Sequence, residues 1–206
     1  MKTLLQINSS LYAGDGQSSR LAARFVDLWR IANPGATVLL RDLAREPVPH
    51  LDAERFGAFL AKQEARDAAQ NEVVAYSDLL IAELKRADVI VLGLPMYNFG
   101  LPSMLKAYFD HVARAGVTFR YTEKGPLGLL TGKQAFVFAA RGGIYAGTPA
   151  DTQTGYVRAF LRFLGIEEVE FVYAEGLATG DAGRQAALTR AQSDIERIAG
   201  GLALAA

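Results

Sequence analysis

The chain has 206 residues with 22 basic and 22 acidic side chains, so its formal net charge is zero and it offers no nucleic-acid footprint. Half of it is hydrophobic, enough for one domain over 1–206 with a full core, and the absence of cysteine excludes a disulfide framework, a zinc-thiolate site, an iron–sulfur cluster and a cysteine nucleophile. No run approaches the roughly 18 apolar residues of a membrane span, and the amino terminus is unlike a signal peptide, so the expected address is the cytoplasm.

Residues 4–7 are a short apolar run, read as a first strand, and end in a polar stretch over 8–17. Leu21, Phe25, Leu28 and Trp29 repeat at the spacing of one helical face, and Asn33, Pro34 and Gly35 stop that helix. Val38, Leu39 and Leu40 suggest a second strand. Residues 44–75 hold a proline-rich turn and an extra helix, and Leu80, Ile81 and Leu84 mark a helix before the third strand. That strand, 89–94, is the clearest, because a strand buried on both faces reads as an unbroken apolar run. Leu105, Tyr108, Phe109 and Val112 follow as a helix with Pro102 near its start, where a missing N–H costs little. Residues 116–133 are a long excursion before a fourth strand over 135–139. Tyr156, Phe160, Phe163 and Leu164 lead into a fifth strand over 171–174, and Leu188, Ala191, Ile195 and Ile198 close the chain as a helix. Strands alternating with helices predict an α/β fold: a doubly wound, five-stranded parallel sheet with helices on both faces.

In such a sheet, of order 2-1-3-4-5, ligands bind beyond the carboxyl ends of the strands where the order reverses. The loops after strands one, three and four are therefore the candidates. The first, from Asn8 to Ser19, combines hydroxyls and glycines and runs into a helix, the makings of an anion site. It has no Gly-Lys-Ser/Thr, so it is not a Walker A loop, and Gly14-x-Gly16-x-x-Ser19 lacks the third glycine of the dinucleotide fingerprint. On its residues alone, a polar surface loop with a serine cap stays open. The second loop, Pro95-Met96-Tyr97-Asn98-Phe99-Gly100-Leu101-Pro102, offers flat rings around one amide, which suits a planar heterocycle with polar edges. The third, Arg141-Gly142-Gly143, allows close backbone approach to a ligand or forms a plain turn. His50 and His111 lack metal-ligand spacing and read as structural, and no Gly-x-Ser-x-Gly elbow is present.

Taken together, Ser9-Ser10 with Ser18, the PMYNF segment, Leu105-Lys106, Tyr108-Phe109-Asp110, the block ARAGVTFRYT from Ala113 to Thr122 and Arg141-Gly142-Gly143 resemble the FMN-dependent NADH-azoreductases, a branch of the flavodoxin-like quinone reductases. The similarity runs from Leu4 to the last helix, and PMYNF with ARAGVTFRYT is its specific part. The resemblance implies a flavodoxin-like sheet, a homodimer and non-covalent FMN. It assigns Ser10, Gly16, Gln17 and Ser18 to the phosphate loop, Met96, Tyr97, Asn98 and Phe99 to the loop along the flavin, and Arg141, Gly142 and Gly143 to the third binding loop. Two positions depart from the family pattern, which often carries a hydroxyl where Gly16 and Ala140 stand.

The implied reaction needs no acid, base or nucleophile triad. NADH or NADPH reduces the flavin and leaves, and an azo dye or quinone then takes the electrons at the same face. Phe99, Phe119 and Tyr121 are the candidate walls for these flat acceptors, the last two either roofing the other subunit's flavin or buried in their own subunit. Alternatives are a quinone reductase with azo reduction as a side activity, a non-enzymatic flavodoxin-type carrier, and a nicotinamide-binding domain using Asp42. Carriers of the second kind are strongly acidic, which a zero net charge does not match.

Overall fold

The computed structural model describes residues 2–204. Its strands in chain order are β1 (Thr3–Asn8), β2 (Thr37–Asp42), β3 (Val89–Pro95), β4 (Phe119–Thr122), β5 (Gly125–Gly128), β6 (Gln134–Ala140) and β7 (Glu168–Ala174). Five of them form one parallel sheet in the order β2-β1-β3-β6-β7, the expected reversal between the first and third strands. The helices are α1 (Gln17–Ala32), α2 (Ala53–Leu60), α3 (Ala68–Arg86), α4 (Ser103–Val112), α5 (Thr154–Phe163) and α6 (Asp181–Leu204).

The sheet is apolar on both faces because its central strands alternate two sets of core residues. Leu4, Val91, Phe136 and Phe138 meet Phe25 and Trp29 of α1 and Ile195 and Ile198 of α6. Leu5, Ile7, Ile90 and Leu92 meet Leu80 and Leu84 of α3, Leu105 and Tyr108 of α4, and Leu161 of α5. Phe25 is wedged against Phe136 and Phe138, with ring centroids 4.7 and 5.3 Å away. Gly93 brings α1 close: a Cβ there would lie 3.2 Å from the Ser18 carbonyl oxygen.

Two segments differ from the sequence reading. β7 starts at Glu168, three residues before the apolar run, because Glu168 and Glu170 point outward from an edge strand and break the pattern. The excursion after α4 is the antiparallel β4–β5 hairpin. Its inner side docks on its own chain: Leu130 donates its N–H to the Leu164 carbonyl at 2.8 Å, and Gly128 abuts the backbone of Gly165. Among the described residues no helix is long and apolar enough to cross a membrane, and no cluster of acidic and histidine side chains could hold a metal.

Candidate cofactor site

β1, β3 and β6 end side by side, so the loops that follow them share one end of the sheet. The first two loops are stitched together. The Ser9 hydroxyl donates to the Gly93 carbonyl at 2.7 Å, the Leu11 N–H donates to the Tyr97 hydroxyl at 3.2 Å, and the Ser10 and Tyr97 hydroxyls lie 3.4 Å apart. A short 3₁₀ turn over Ala13–Asp15 then delivers the chain to α1.

The amino end of α1 has no side-chain cap. Among the described residues, the N–H groups of Gln17, Ser18 and Ser19 have no partner, as the first turn of a helix leaves them. The Ser18 and Ser19 hydroxyls are buried there without a hydrogen bond. A buried polar group without a partner is rare and calls for a ligand or water. Gly16 is required by its neighbour: a Cβ on it would fall 2.0 Å from Ser10 Oγ. The place where the family pattern often has a hydroxyl is thus filled by the Ser10 side chain. Free N–H groups, the helix dipole and an orphaned hydroxyl fit the phosphate of FMN.

The second loop is a two-residue hairpin. Tyr97 and Gly100 exchange backbone hydrogen bonds of 3.3 and 2.9 Å, and Asn98 and Phe99 between them have φ of 49° and 60°. This turn favours Asn followed by Gly. A phenylalanine held there stores strain of about 1–3 kcal/mol, and strain of that kind gathers at ligand clamps. Phe99 is 57% exposed, and Tyr145 meets it edge-on at 5.6 Å. Met96 is half-buried, its N–H bonded to the Ala140 carbonyl.

The third loop corrects one expectation. The Arg141 side chain is fully buried and points into the protein, paired with Asp151 at 2.9 Å and Glu175 at 3.0 Å, so its guanidinium is turned away from the open side of the loop. Its guanidinium also donates to Gln153 and Thr154 and lies 5.1 Å from the Tyr173 ring centre. Burial alone would raise the Asp151 carboxyl, but the bonds from Thr154 and Arg141 together hold it below the usual carboxylate range. The carbonyls of Gly142 and Gly143 accept from Ala178 and Gly176, whereas their N–H groups have no partner among the described residues. The two glycines also divide. A Cβ on Gly142 would make ordinary contact with Ala178 at 3.4 Å, while one on Gly143 would collide with the Tyr145 ring at 2.6 Å.

A second correction concerns Phe119, which is buried and packed on Phe163 with ring centroids 4.3 Å apart. It belongs to its own chain's core, and of the two hairpin rings only Tyr121, 75% exposed, remains free to face a ligand or a second subunit. His111 is buried against Phe59 and Tyr76, and burial lowers its pKa. The Asp42 carboxylate accepts the Ala44 N–H at 3.1 Å, capping a turn. Tyr145, Gln153 and Glu175 join the site without any motif to mark them. A cavity of about 520 Å³ lies at the opposite end of the sheet, beside Gln134 and Glu168, where doubly wound folds do not bind ligands.

Comparison with known proteins agrees with this geometry. The chain is 55% identical to the FMN-dependent NADH:quinone oxidoreductase of Cellvibrio japonicus, across 96% of this chain and 98% of that protein. It is 54% identical to FMN-dependent NADH:quinone oxidoreductase 6 of Burkholderia lata, across 95% and 98%. Among solved structures, an FMN-dependent NADH-azoreductase from Bacillus anthracis in complex with FMN superposes with a TM-score of 0.89 at 29% identity, covering 98% of this chain and all of that one. The family described by its flavodoxin-like fold matches residues 1–198, nearly every strand and helix described above, and the chain belongs to it.

Proposed function

We infer that the protein is an FMN-dependent NAD(P)H oxidoreductase that reduces quinones and azo compounds. The observation that carries this reading is the convergence, at one end of the sheet, of the uncapped α1 terminus, its buried unpartnered Ser18 hydroxyl and the strained aromatic turn. FMN, when bound, supplies the chemistry by accepting a hydride from NAD(P)H and passing it to an acceptor. The chain's part is to bind and orient. Gln17, Ser18 and Ser19 offer N–H groups to the phosphate, Gly142 and Gly143 offer theirs to a ring edge, and Tyr97, Asn98 and Phe99 line the ring.

Two measurements test this. Purified protein should be yellow and oxidise NADH with a quinone as acceptor, and a quinone series set against an azo series identifies the preferred class. A protein that binds flavin but does not turn over NADH would instead be an electron carrier. For the phosphate, Ser18→Asp should weaken FMN by roughly tenfold or more, because a carboxylate would face the dianion. Riboflavin, which lacks the phosphate, should lose no more than about twofold. Equal losses in a fluorescence titration would move the phosphate elsewhere.

We also propose a homodimer and a cytoplasmic address, the latter in keeping with a chain without cysteine. Tyr121 on one face of the hairpin, and Leu127 and Leu129 on the other, stay exposed, apolar surface that a two-fold partner would cover. The hairpin then gives a paired expectation. Phe119→Leu should lower stability in urea unfolding by about 1 kcal/mol and leave the acceptor's Michaelis constant unchanged. Tyr121→Ala should cost no more than about 0.5 kcal/mol yet raise that constant. The reverse pattern would return Phe119 to the ligand and take Tyr121 away from it.

A further inference from the structure

Gln153 has no exposed surface, sits one residue before α5, and belongs to no motif. All of its side-chain hydrogen-bonding groups are used. Its amide nitrogen donates to the Pro95 carbonyl and to the Gly100 carbonyl, each at 2.9 Å. Its amide oxygen accepts from Arg141 Nε at 3.2 Å. An arginine nitrogen only donates and a carbonyl only accepts, so this environment permits a single orientation of the amide. The two carbonyls it holds stand on either side of the Asn98–Phe99 turn. The neighbouring Thr152 hydroxyl donates to the Phe99 carbonyl between them. Arg141 in turn reaches Glu175, which accepts the N–H groups of Tyr145 and Ala146. One buried network therefore joins the turn to the Gly142–Gly143 loop.

The turn needs such a clamp. Two successive residues at positive φ, the second a phenylalanine, relax to other conformations unless the surroundings hold them. We propose that Gln153 is a positioning residue of the flavin site: it holds the Asn98–Phe99 turn in its strained shape and thereby sets the grip on the flavin ring, separately from the phosphate. This rests on the flavin reading above. It predicts that losing Gln153 weakens riboflavin and FMN alike, because Gln153 bonds only Pro95, Gly100 and Arg141 and makes no bond to the α1 terminus that faces the phosphate.

The test is a double-mutant cycle read by flavin titration of stripped protein. Gln153→Met keeps the volume and removes both donors, and Phe99→Gly removes the strain. Gln153→Met should weaken riboflavin and FMN by the same factor, about tenfold. In the Phe99→Gly background the same change should cost less than about twofold, since a glycine adopts the turn unaided. A side chain that merely supports the fold would cost the same in both backgrounds, and that result overturns the proposal. So would a selective loss of FMN, or full riboflavin affinity in Gln153→Met. Should Gln153→Met fail to fold, Gln153→Glu, which keeps the oxygen facing Arg141, carries the same expectations and the same refutations. A wild-type protein that binds neither flavin would sink the functional reading and this inference together, whereas wild-type binding with an unaffected variant would sink this inference alone.

Discussion

Arg141→Met is expected to destabilise the protein by about 3–5 kcal/mol, the range for removing one partner of a buried ion pair. The side chain is wholly enclosed, and the Asp151 and Glu175 side chains it pairs with are only 7% and 11% exposed. Without the guanidinium, both carboxylates are left in a poorly solvated place with fewer donors. In thermal unfolding the loss should appear as a fall of about 6–20 °C. The deficit should also depend on pH. In the wild type the Asp151 pKa is held below its unfolded value, so its contribution is present above roughly pH 4 and fades as the pH falls through the folded value. Below that point the gap between the two proteins should narrow, while the loss of the Gln153 and Thr154 bonds persists. A midpoint within about 2 °C of wild type at neutral pH would mean that the network is dispensable.

The second large effect is expected at Gly16. A serine there would drive its Cβ into Ser10, whose Cβ as well as its hydroxyl lies within 2.5 Å of that position. Ser10 is buried and cannot swing away, so the loop must move and carry the start of α1 with it. Overpacking of this kind costs about 1–3 kcal/mol, and here it falls on the proposed phosphate contacts. Gly16→Ser should therefore weaken FMN by about 100-fold. The compensating change is Ser10→Gly, which vacates the space. The double variant should recover at least about tenfold of the loss, with the hydroxyl now delivered from residue 16. Undiminished FMN binding by the single variant would show that this contact does not shape the loop.

The fold was legible because its signals are local. The run from Val89 to Pro95 is buried at every position, and the turns and helices between the strands carry their own periodicity. Legibility fails where the pattern is interrupted by exposure. Glu168 and Glu170 hid the start of β7, and Gly125, Pro126 and Gly128 gave β5 no strand character. In the site, the three loops could be found from their place after strands. The direction of a side chain could not. Arg141 beside two glycines reads as a ligand contact, yet its ion partners lie 10 and 34 residues further on and turn it inward. Gln153 was invisible for the same reason, since what defines it is a pair of carbonyls more than 50 residues away.

Trp29 is the chain's single tryptophan, and it is buried in the same helix whose amino end faces the proposed phosphate. A rise of 1.5 Å per residue sets it roughly 16 Å along the axis from Ser18. One indole, shielded from water and fixed to a rigid rod, emits in the region where an oxidised flavin absorbs. The fold therefore carries its own energy-transfer donor, and quenching of that emission reports occupancy of the far end of the helix without any label. Because no cysteine is present, a single thiol introduced on the β4–β5 hairpin could take a second dye and add a distance across the proposed subunit boundary.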